Sequence, residues 1–207
     1  MMKNLLAFRD RYKNTLLHTA EDPAWAKMLV DMGLSIESKD LYGTTPLNAA
    51  IGREDVKMVK FFIEQGADLR ATSANGLLLD TAICIDFDNE GTVFTSLLLE
   101  AGCDANQKNP VNGETALHYA ASSNEELVEL LLQYGADPSI LDNRGRPPVG
   151  KTAEIGQLLA KAATPPNALV IHFKKTTTLS LGDSRAEMTM EAGSSLNAIG
   201  LESITIK

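Results

Sequence analysis

The residue types that catalyse reactions or hold metals are few in this 207-residue chain, and they are scattered. The two cysteines, Cys84 and Cys103, have no metal-ligand spacing between them or beside a histidine. His172 stands alone in an apolar stretch, without an acidic or thiol neighbour in sequence. No nucleophile elbow, phosphate-binding glycine loop or zinc-protease motif is present. The sequence therefore predicts no enzyme, no catalytic residue, no cofactor-binding residue and no metal ligand.

One acidic segment has a composition similar to that of a calcium-binding loop. Residues 86–90 read Asp-Phe-Asp-Asn-Glu. A calcium loop of the EF-hand type also needs a glycine at its sharp turn and a bidentate glutamate at its end, and neither occurs at the required spacing. We therefore interpret the segment as a solvated turn that lengthens the connection between two helices.

The elements that would position any site are clearest in residues 112–145. A glycine-containing turn at Asn112–Glu114 precedes a short apolar run, Thr115–Ala121. A polar break follows, and then Glu125–Tyr134 places its leucines and its valine on one face at helical spacing. Gly135 stands where a left-handed residue would end that helix. The pattern predicts a helix, a tight turn, a second helix and a long turn that leads to the next pair.

The same pattern recurs along the chain. The glycines that follow the second helices, Gly33, Gly66, Gly102 and Gly135, are 33, 36 and 33 residues apart. The first helices begin with related hexapeptides, of which the clearest read Thr-Pro-Leu-Asn-Ala-Ala from Thr45 and Thr-Ala-Leu-His-Tyr-Ala from Thr115. Sequence and period resemble those of ankyrin repeat proteins, whose hallmark is T-P-L-H-x-A at a period near 33.

The resemblance implies a mainly α fold, an α-solenoid of four ankyrin repeats plus a degenerate fifth. We assign residues 1–163 to this domain, with residues 1–14 as its N-terminal cap, and residues 164–207 to a small β-rich C-terminal appendage. Alignment of the repeats predicts that Trp25 occupies a core position. In the fifth repeat, the prolines at 147 and 148 are expected to prevent the first helix. The appendage reads as three or four short strands that cover the last repeat, or alternatively as a tail that becomes ordered only with a partner.

The charge of the chain bears on its partners and compartment. The formal net charge is −8, and residues 164–207 contain four bases and four acids, so the whole charge belongs to residues 1–163. An acidic surface disfavours nucleic acid and anionic membranes and favours a protein with a basic surface, although mild acidity also serves solubility alone. The sequence contains no apolar run of membrane-spanning length and no recognisable secretory signal. We therefore expect a cytoplasmic protein with two buried, reduced thiols.

The resemblance further implies binding of another protein without catalysis, through the tips of the turns between repeats, called fingers, and through the first helices on the concave side. It gives His18 and His118 a structural role, in which the imidazole bonds to the backbone of an adjoining turn. Large apolar side chains at Leu41 and Tyr42 stand out on an exposed turn. Carried over by position, the candidate contacts on the fingers are Lys39, Asp40, Leu41, Tyr42, Ser73, Asn75, Asn109, Asn112 and Arg144. On the concave helix faces they are Arg53, Asp86 and Asp88.

Two functions stay open on the sequence alone. The first is a protein-binding scaffold, monomeric when free of its partner. The second is an inhibitor of the immunity or antitoxin type, which would cover a basic cytosolic toxin or enzyme. Each single candidate residue is also consistent with plain solvated surface.

Overall fold

The computed structural model describes residues 6–74, 76–89, 91–122 and 124–163, together with the strand segments 169–172, 177–180, 187–190, 195–198 and 205–206. Contacts divide the chain into two units, Met1–Ala162 and Ala163–Lys207. The first unit is helical and contains the candidate binding residues.

The first unit is a succession of short helices. They are α1 (Pro23–Asp31), α2 (Pro46–Gly52), α3 (Val56–Glu64), α4 (Leu78–Asp88), α5 (Val93–Glu100), α6 (Ala116–Ala121), α7 (Glu125–Gln133) and α8 (Ala153–Ala163). Helices α2 and α3, α4 and α5, and α6 and α7 pack as antiparallel pairs, and the inner helices α2, α4 and α6 contact one another in order. A two-stranded antiparallel hairpin, β1 (Thr72–Ser73) with β2 (Gly76–Leu77), lies between the second and third repeats.

The helix boundaries follow from local chemistry. Side chains cap several helix N-termini: Asp22 accepts from Ala24 N at 3.0 Å, and Asn124 accepts from Glu126 N at 2.8 Å. The second helix of each pair ends at a glycine with φ between 78° and 102°. These are Gly33, Gly66, Gly102 and Gly135. A side chain would be strained in this left-handed conformation, so the recurrent glycine spacing records a recurrent backbone turn.

The core repeats with the same period as the glycines. Four residues before each of these glycines lies a side chain with no exposed surface, and these side chains are Leu29, Phe62, Leu98 and Leu131. The inner elements contribute a second buried row of Leu17, Leu47, Leu79 and Leu117. Both rows belong to one hydrophobic cluster that runs from Leu17 to Leu159. Each fully buried side chain of this size contributes about 1.5–3 kcal/mol through removal of apolar surface from water.

The first repeat departs from the predicted pattern in two ways. Residues 16–19 form turns instead of the expected inner helix. The prediction for Trp25 is wrong, since this side chain is 38% exposed whereas the aligned Met58 and Leu127 are fully buried. Helix α3 packs against α1, and α7 packs against α5; α1 is the first of the described second helices, so among these helices it has a neighbour on one side only. In the fifth repeat the residues before α8 are non-helical, as the two prolines predict.

The second unit contains β3 (Leu169–His172), β4 (Thr177–Ser180), β5 (Glu187–Met190), β6 (Ser195–Ala198) and β7 (Thr205–Ile206). Strand β3 pairs antiparallel with β6, and β4 lies between β5 and β7 with antiparallel pairing on both sides. The expectation that this segment covers the last repeat falls outside the described residues.

Candidate protein-binding surface

In three of the fingers an aspartate accepts hydrogen bonds from the backbone of its own turn. The Oδ1 atom of Asp40 accepts from Tyr42 N and Thr44 N, both at 2.8 Å. Asp10 makes the same pair of bonds with Tyr12 N and Asn14 N at 2.8 and 2.9 Å. Asp142 makes it with the backbone of residues 144 and 146. A hydrogen bond from the Asn14 side chain is the main cause that lowers the pKa of Asp10, and the two backbone bonds to Asp10 lower it further.

Backbone hydrogen bonds join successive fingers into a row. Leu41 N donates to Tyr12 O at 2.8 Å, Ala74 N donates to Tyr42 O at 2.8 Å, and Asn143 N donates to Asn112 O at 2.9 Å. The first two bonds link the fingers at residues 9–14, 39–44 and 72–77, and the third links those at 108–114 and 142–146, so the side chains within each group keep fixed relative positions. Tight backbone coupling of this kind presents a preorganised surface, which lowers the ordering cost of binding.

Two histidines tie the inner elements to the fingers. His18 Nδ1 accepts from Thr15 N at 3.0 Å, and its Nε2 lies 3.0 Å from Thr44 O in the next finger. His118 repeats both contacts, with Thr115 N at 3.1 Å and with a carbonyl of the last finger at 3.1 Å. An Nδ1 atom that accepts requires the neutral ring with its proton on Nε2. Burial lowers the pKa of His18 and favours that neutral form. This is the structural role that the resemblance implies.

In the third repeat an aspartate replaces the histidine. Asp80 Oδ2 accepts from Leu77 N at 3.1 Å, as the histidines do in their own repeats, and also from Asn109 Nδ2 at 3.1 Å. An aspartate cannot donate to the next finger when ionised, so the next finger supplies a side-chain donor instead. Asp80 is 4% exposed, its Oδ1 has no partner among the described residues, and burial raises its pKa. The residue at the histidine position and the residue that opens the next finger are thus chemically coupled.

Two of the predicted contact residues are buried, and their assignment to the binding surface is wrong. Asn109 is 6% exposed because its amide faces Asp80. Asp86 is 2% exposed, and its carboxylate accepts from Phe94 N at 2.9 Å and Thr95 N at 2.6 Å. It anchors the start of α5 across the lengthened turn, so it is not available to a partner.

The remaining candidates lie at the surface to different degrees. The exposed ones are Lys39, Leu41, Tyr42, Arg53, Asp88 and Arg144, and the half-buried ones are Asp40, Ser73 and Asn112. Asn75 lies outside the described residues. The guanidinium of Arg53 donates to His18 O and to Ala20 O, so this side chain stabilises the turns that replace the first inner helix.

The structure adds Tyr12 and Val111 to the candidate surface. Tyr12 was assigned to the N-terminal cap, but its ring lies 6.5 Å from that of Tyr42, centroid to centroid, on the neighbouring finger. The signal for it was present, because Asp10-x-Tyr12 repeats the spacing of Asp40-x-Tyr42. Val111, at the tip of the finger formed by residues 108–114, is 85% exposed. The apolar part of the finger row is therefore larger than Leu41 and Tyr42 alone.

Charge is distributed unevenly over the first unit. The finger segments 9–14, 39–44, 108–114 and 142–146 contain seven bases and four acids, and three of those acids, Asp10, Asp40 and Asp142, bond to their own backbone. The turns within the helix pairs are acidic instead. The acids of these turns and of the helix ends beside them, among the described residues, are Glu21, Asp22, Glu54, Asp55, Asp88, Glu125 and Glu126. The finger row is net positive although the chain as a whole is net negative.

The thiols and the possible metal ligands do not form a site. Both cysteines are free; Cys84 is exposed, contrary to expectation, and Cys103 is buried. Burial raises the pKa of the Cys103 thiol to about 11, which keeps it protonated and unreactive. Over the described ranges, no group of three His, Cys, Asp or Glu side chains is placed to hold a metal ion. None of the helices described above has the length and apolarity that a membrane crossing requires.

Comparison with known proteins agrees with the repeat architecture. A family model for ankyrin repeats in three copies matches residues 81–157, and a model for a single ankyrin repeat matches residues 42–74. Among solved structures, the ankyrin repeat domain of Bcl-3 superimposes with a TM-score of 0.64 at 25% identity, over 77% of this chain and 75% of that one.

Curated relatives share only segments with this chain. An L-asparaginase of Dirofilaria immitis is 33% identical over 118 residues, which are 56% of this chain and 19% of that protein. The ankyrin repeat domain-containing protein 40 of Mus musculus is 47% identical over 57 residues, which are 27% of this chain and 16% of that protein. The chain thus spans less than a fifth of the length of these relatives.

The family assignment rests on agreement between sequence, structure and comparison. The matched segments together cover just over half of the chain, and they contain the terminating glycines Gly66, Gly102 and Gly135 with the second helices that precede them. Repeats of this kind typically serve as non-catalytic scaffolds for protein interaction. The chain belongs to the ankyrin repeat family.

Proposed function

We propose that this chain is a non-catalytic scaffold that binds another protein through its finger row and the adjoining inner helices. The observation that carries the proposal is the finger row itself. Backbone bonds connect finger to finger, and large apolar side chains stand exposed along the edge at Tyr12, Leu41, Tyr42 and Val111. Exposed apolar groups on a rigid, charged edge are typical of protein interfaces.

The expectation of a partner with a basic surface applies to one part of the molecule. The turns within the helix pairs carry acids but almost no bases, for example Glu54, Asp55 and Asp88. We propose that a basic patch of a partner meets this acidic end, where charge complementarity would speed association. Arg53 is the one base among the described residues of these turns, and its guanidinium donates to the backbone carbonyls of His18 and Ala20.

The alternative function, an inhibitor that covers a basic toxin or enzyme, stays a hypothesis. None of the three relatives named above carries such a role in its name. The acidic turns are the feature that an inhibitor of a basic protein would use.

Affinity capture tests the scaffold proposal. The tagged chain is used to capture proteins from a lysate of its source organism, beside two single variants, Tyr42→Ala and Tyr134→Ala. Both tyrosines are exposed, but Tyr134 follows α7 and lies outside the finger row. We expect the wild-type chain and Tyr134→Ala to retain the same partner and Tyr42→Ala to lose most of it.

Equal retention by both variants would rule out the finger row as the binding surface. Light scattering of the free chain checks the further proposal that it is monomeric. A stable dimer in which Tyr42 is buried would contradict that part.

A further inference from the structure

We propose that an N-terminal finger patch, formed by Arg9, Arg11, Tyr12, Lys39, Leu41 and Tyr42, binds a short acidic segment of another protein in an extended conformation. The inference rests on the proposed scaffold function and names the partner chemistry for one of its surfaces. That chemistry is opposite to the basic partner expected from the net charge of −8.

The apolar part of the patch consists of Tyr12 on one finger and of Leu41 and Tyr42 on the next. Tyr12, Leu41 and Tyr42 are 39%, 53% and 54% exposed. The bond from Leu41 N to Tyr12 O, 2.8 Å long, holds the two fingers together. Exposed aromatic side chains on a fixed backbone provide contact area at low conformational cost, so they are suited to anchor a partner.

The polar part of the patch is positive. The Arg11 guanidinium carbon lies 4.6 Å from the centroid of the Tyr12 ring, which places a charge beside the aromatic anchor. Arg9 is held by bonds from its guanidinium to Phe8 O and Leu6 O, at 2.7 and 3.3 Å. None of the ion pairs between described residues includes Arg9, Arg11 or Lys39. These cations are available to carboxylates of a partner.

The acids of the same fingers are bonded to their own turns. Asp10 and Asp40 each direct Oδ1 at two backbone N–H groups of their own turn, at distances of 2.8–2.9 Å. A carboxylate that is occupied in this way stabilises the turn and contributes less to the outward field than a free one. The patch contains three bases, Arg9, Arg11 and Lys39, against these two acids, so it attracts negative charge.

The spacing of the tyrosines matches an extended chain. Their ring centroids are 6.5 Å apart. In an extended segment, side chains at positions i and i+2 lie on one face and are roughly 6.6 Å apart, since each residue advances the chain by about 3.3 Å. Two alternate apolar side chains can therefore contact both rings, and acidic residues on either side can reach Arg11 and Lys39.

The rest of the domain limits the size of such a partner segment. Residues 1–163 carry the whole charge of −8, so a broad acidic surface would be repelled beyond the patch. A short segment meets only the positive fingers, which favours an acidic peptide over a large acidic face.

Fluorescence anisotropy with a defined peptide tests the proposal on the full-length chain. The probe is a labelled nonapeptide of three glutamates, leucine, serine, phenylalanine and three further glutamates. One control peptide has lysines in place of the glutamates, and a second has serines in place of the two apolar residues. We expect only the first peptide to bind, with an affinity that falls as sodium chloride rises from about 50 to about 300 mM.

Matched variants locate the binding. Tyr42→Ala and Lys39→Glu are each expected to weaken binding of the acidic peptide about tenfold, as loss of an interface anchor does. Tyr134→Ala and Lys60→Glu make the same chemical changes at exposed positions outside the patch and should leave the affinity unchanged. Thermal melts confirm that each variant is folded.

Each contrary result has a defined meaning. Equal or tighter binding of the lysine peptide, or binding that survives both patch substitutions, overturns the inference. Self-association of the chain that Tyr42→Ala abolishes identifies the occupant as a second copy and also overturns it. If the acidic peptide fails to bind while partner capture still depends on Tyr42, the scaffold function stands and only the acidic chemistry falls.

Discussion

Exchange of one amide for a carboxylate at position 109 tests the coupling between the third repeat and the finger that follows it. In the parent, Asn109 Nδ2 donates to Asp80 Oδ2 at 3.1 Å, and both residues are almost fully buried. Asn109→Asp retains an oxygen for the bond from Val111 N, at 3.0 Å in the parent. It also replaces the donor by an oxygen, so two carboxylate oxygens would lie about as close as the present hydrogen bond.

The expected loss of stability is large for a change of one atom. Asn109→Asp removes the donor and places a second carboxyl group beside Asp80, which leaves buried charge uncompensated, and an uncompensated buried charge costs about 3–5 kcal/mol. For a domain of this size the melting temperature should fall by roughly 6–20 °C. A smaller loss would mean that the finger moves away and lets water reach Asp80.

The loss should depend on pH. Burial raises the pKa of Asp80 above its ordinary value, and a second carboxylate beside it raises that pKa further. A carboxyl group with a raised pKa in the folded state stabilises fully below its unfolded pKa, and that contribution disappears as pH rises through the folded value. The deficit of Asn109→Asp relative to the parent should therefore be largest at neutral pH and shrink toward pH of about 4.

Circular dichroism melts of a double-mutant cycle decide the question. The parent, Asn109→Asp, Asp80→Asn and the double variant are compared at pH of about 7 and about 4.5. In the parent both bonds end on Asp80 Oδ2, so in the double variant the amide at position 80 turns its Nδ2 to the carboxylate at position 109 and gives up the bond from Leu77 N; the bond between positions 80 and 109 is restored with its polarity reversed. We expect the double variant to recover more than half of the loss. An Asn109→Asp melt that overlays the parent, or a double variant no better than Asn109→Asp, would refute the coupling.

Four further predictions concern the stability of the domain. Leu131→Ala should cost about 2–5 kcal/mol in a denaturant titration, because this side chain has no exposed surface, whereas the exposed Leu141→Ala should have little effect; equal costs would mean that the core is placed wrongly. Lys13 has φ of 65°, where other fingers have glycine. Lys13→Gly should therefore raise the free energy of unfolding by about 0.5 kcal/mol, after the entropy cost of glycine, and raise the melting temperature slightly. A lowered melting temperature would contradict the strain. The backbone N–H of Arg146 is the main cause that lowers the pKa of Asp142 to about 2. The stability that Asp142 adds should therefore be present above its unfolded pKa and disappear as pH falls through about 2. Melts of Asp142→Asn and the parent should converge over that range, and a constant difference would argue against this prediction. Deletion of residues 164–207 should lower the melting temperature or cause aggregation if that segment covers the last repeat, and an unchanged melt of a monomeric product would show that α8 needs no further cover.

The repeat architecture could be predicted from the sequence because its signals are local. A left-handed turn favours glycine, and an inner helix begins at a Thr-x-Leu pattern. The spacing of Gly33, Gly66, Gly102 and Gly135 therefore revealed the repeat directly, and two prolines marked the defective fifth repeat. The exposed finger residues Leu41 and Tyr42 followed from the position of the turn in the repeat.

The direction of polar side chains was decided by tertiary structure. Asn109 and Asp86 have the residue types of a solvated surface, yet each satisfies buried groups on a neighbouring element, and no local pattern shows that element. Trp25 has the register of a core residue, but α1 is the first of the described second helices, so among these helices it has a neighbour on one side only. Both errors arise because burial depends on what packs against a residue and not on its own repeat alone.

The finger patch combines both levels. The sequence contains Asp10-x-Tyr12 and Asp40-x-Tyr42 thirty residues apart, and it contains the bases beside them. Only the fold brings the two tyrosine rings to 6.5 Å, and only the fold turns both aspartates toward their own backbone. Net charge is a property of composition, whereas the sign of the charge at one edge depends on which side chains the backbone bonds and which it leaves in solvent.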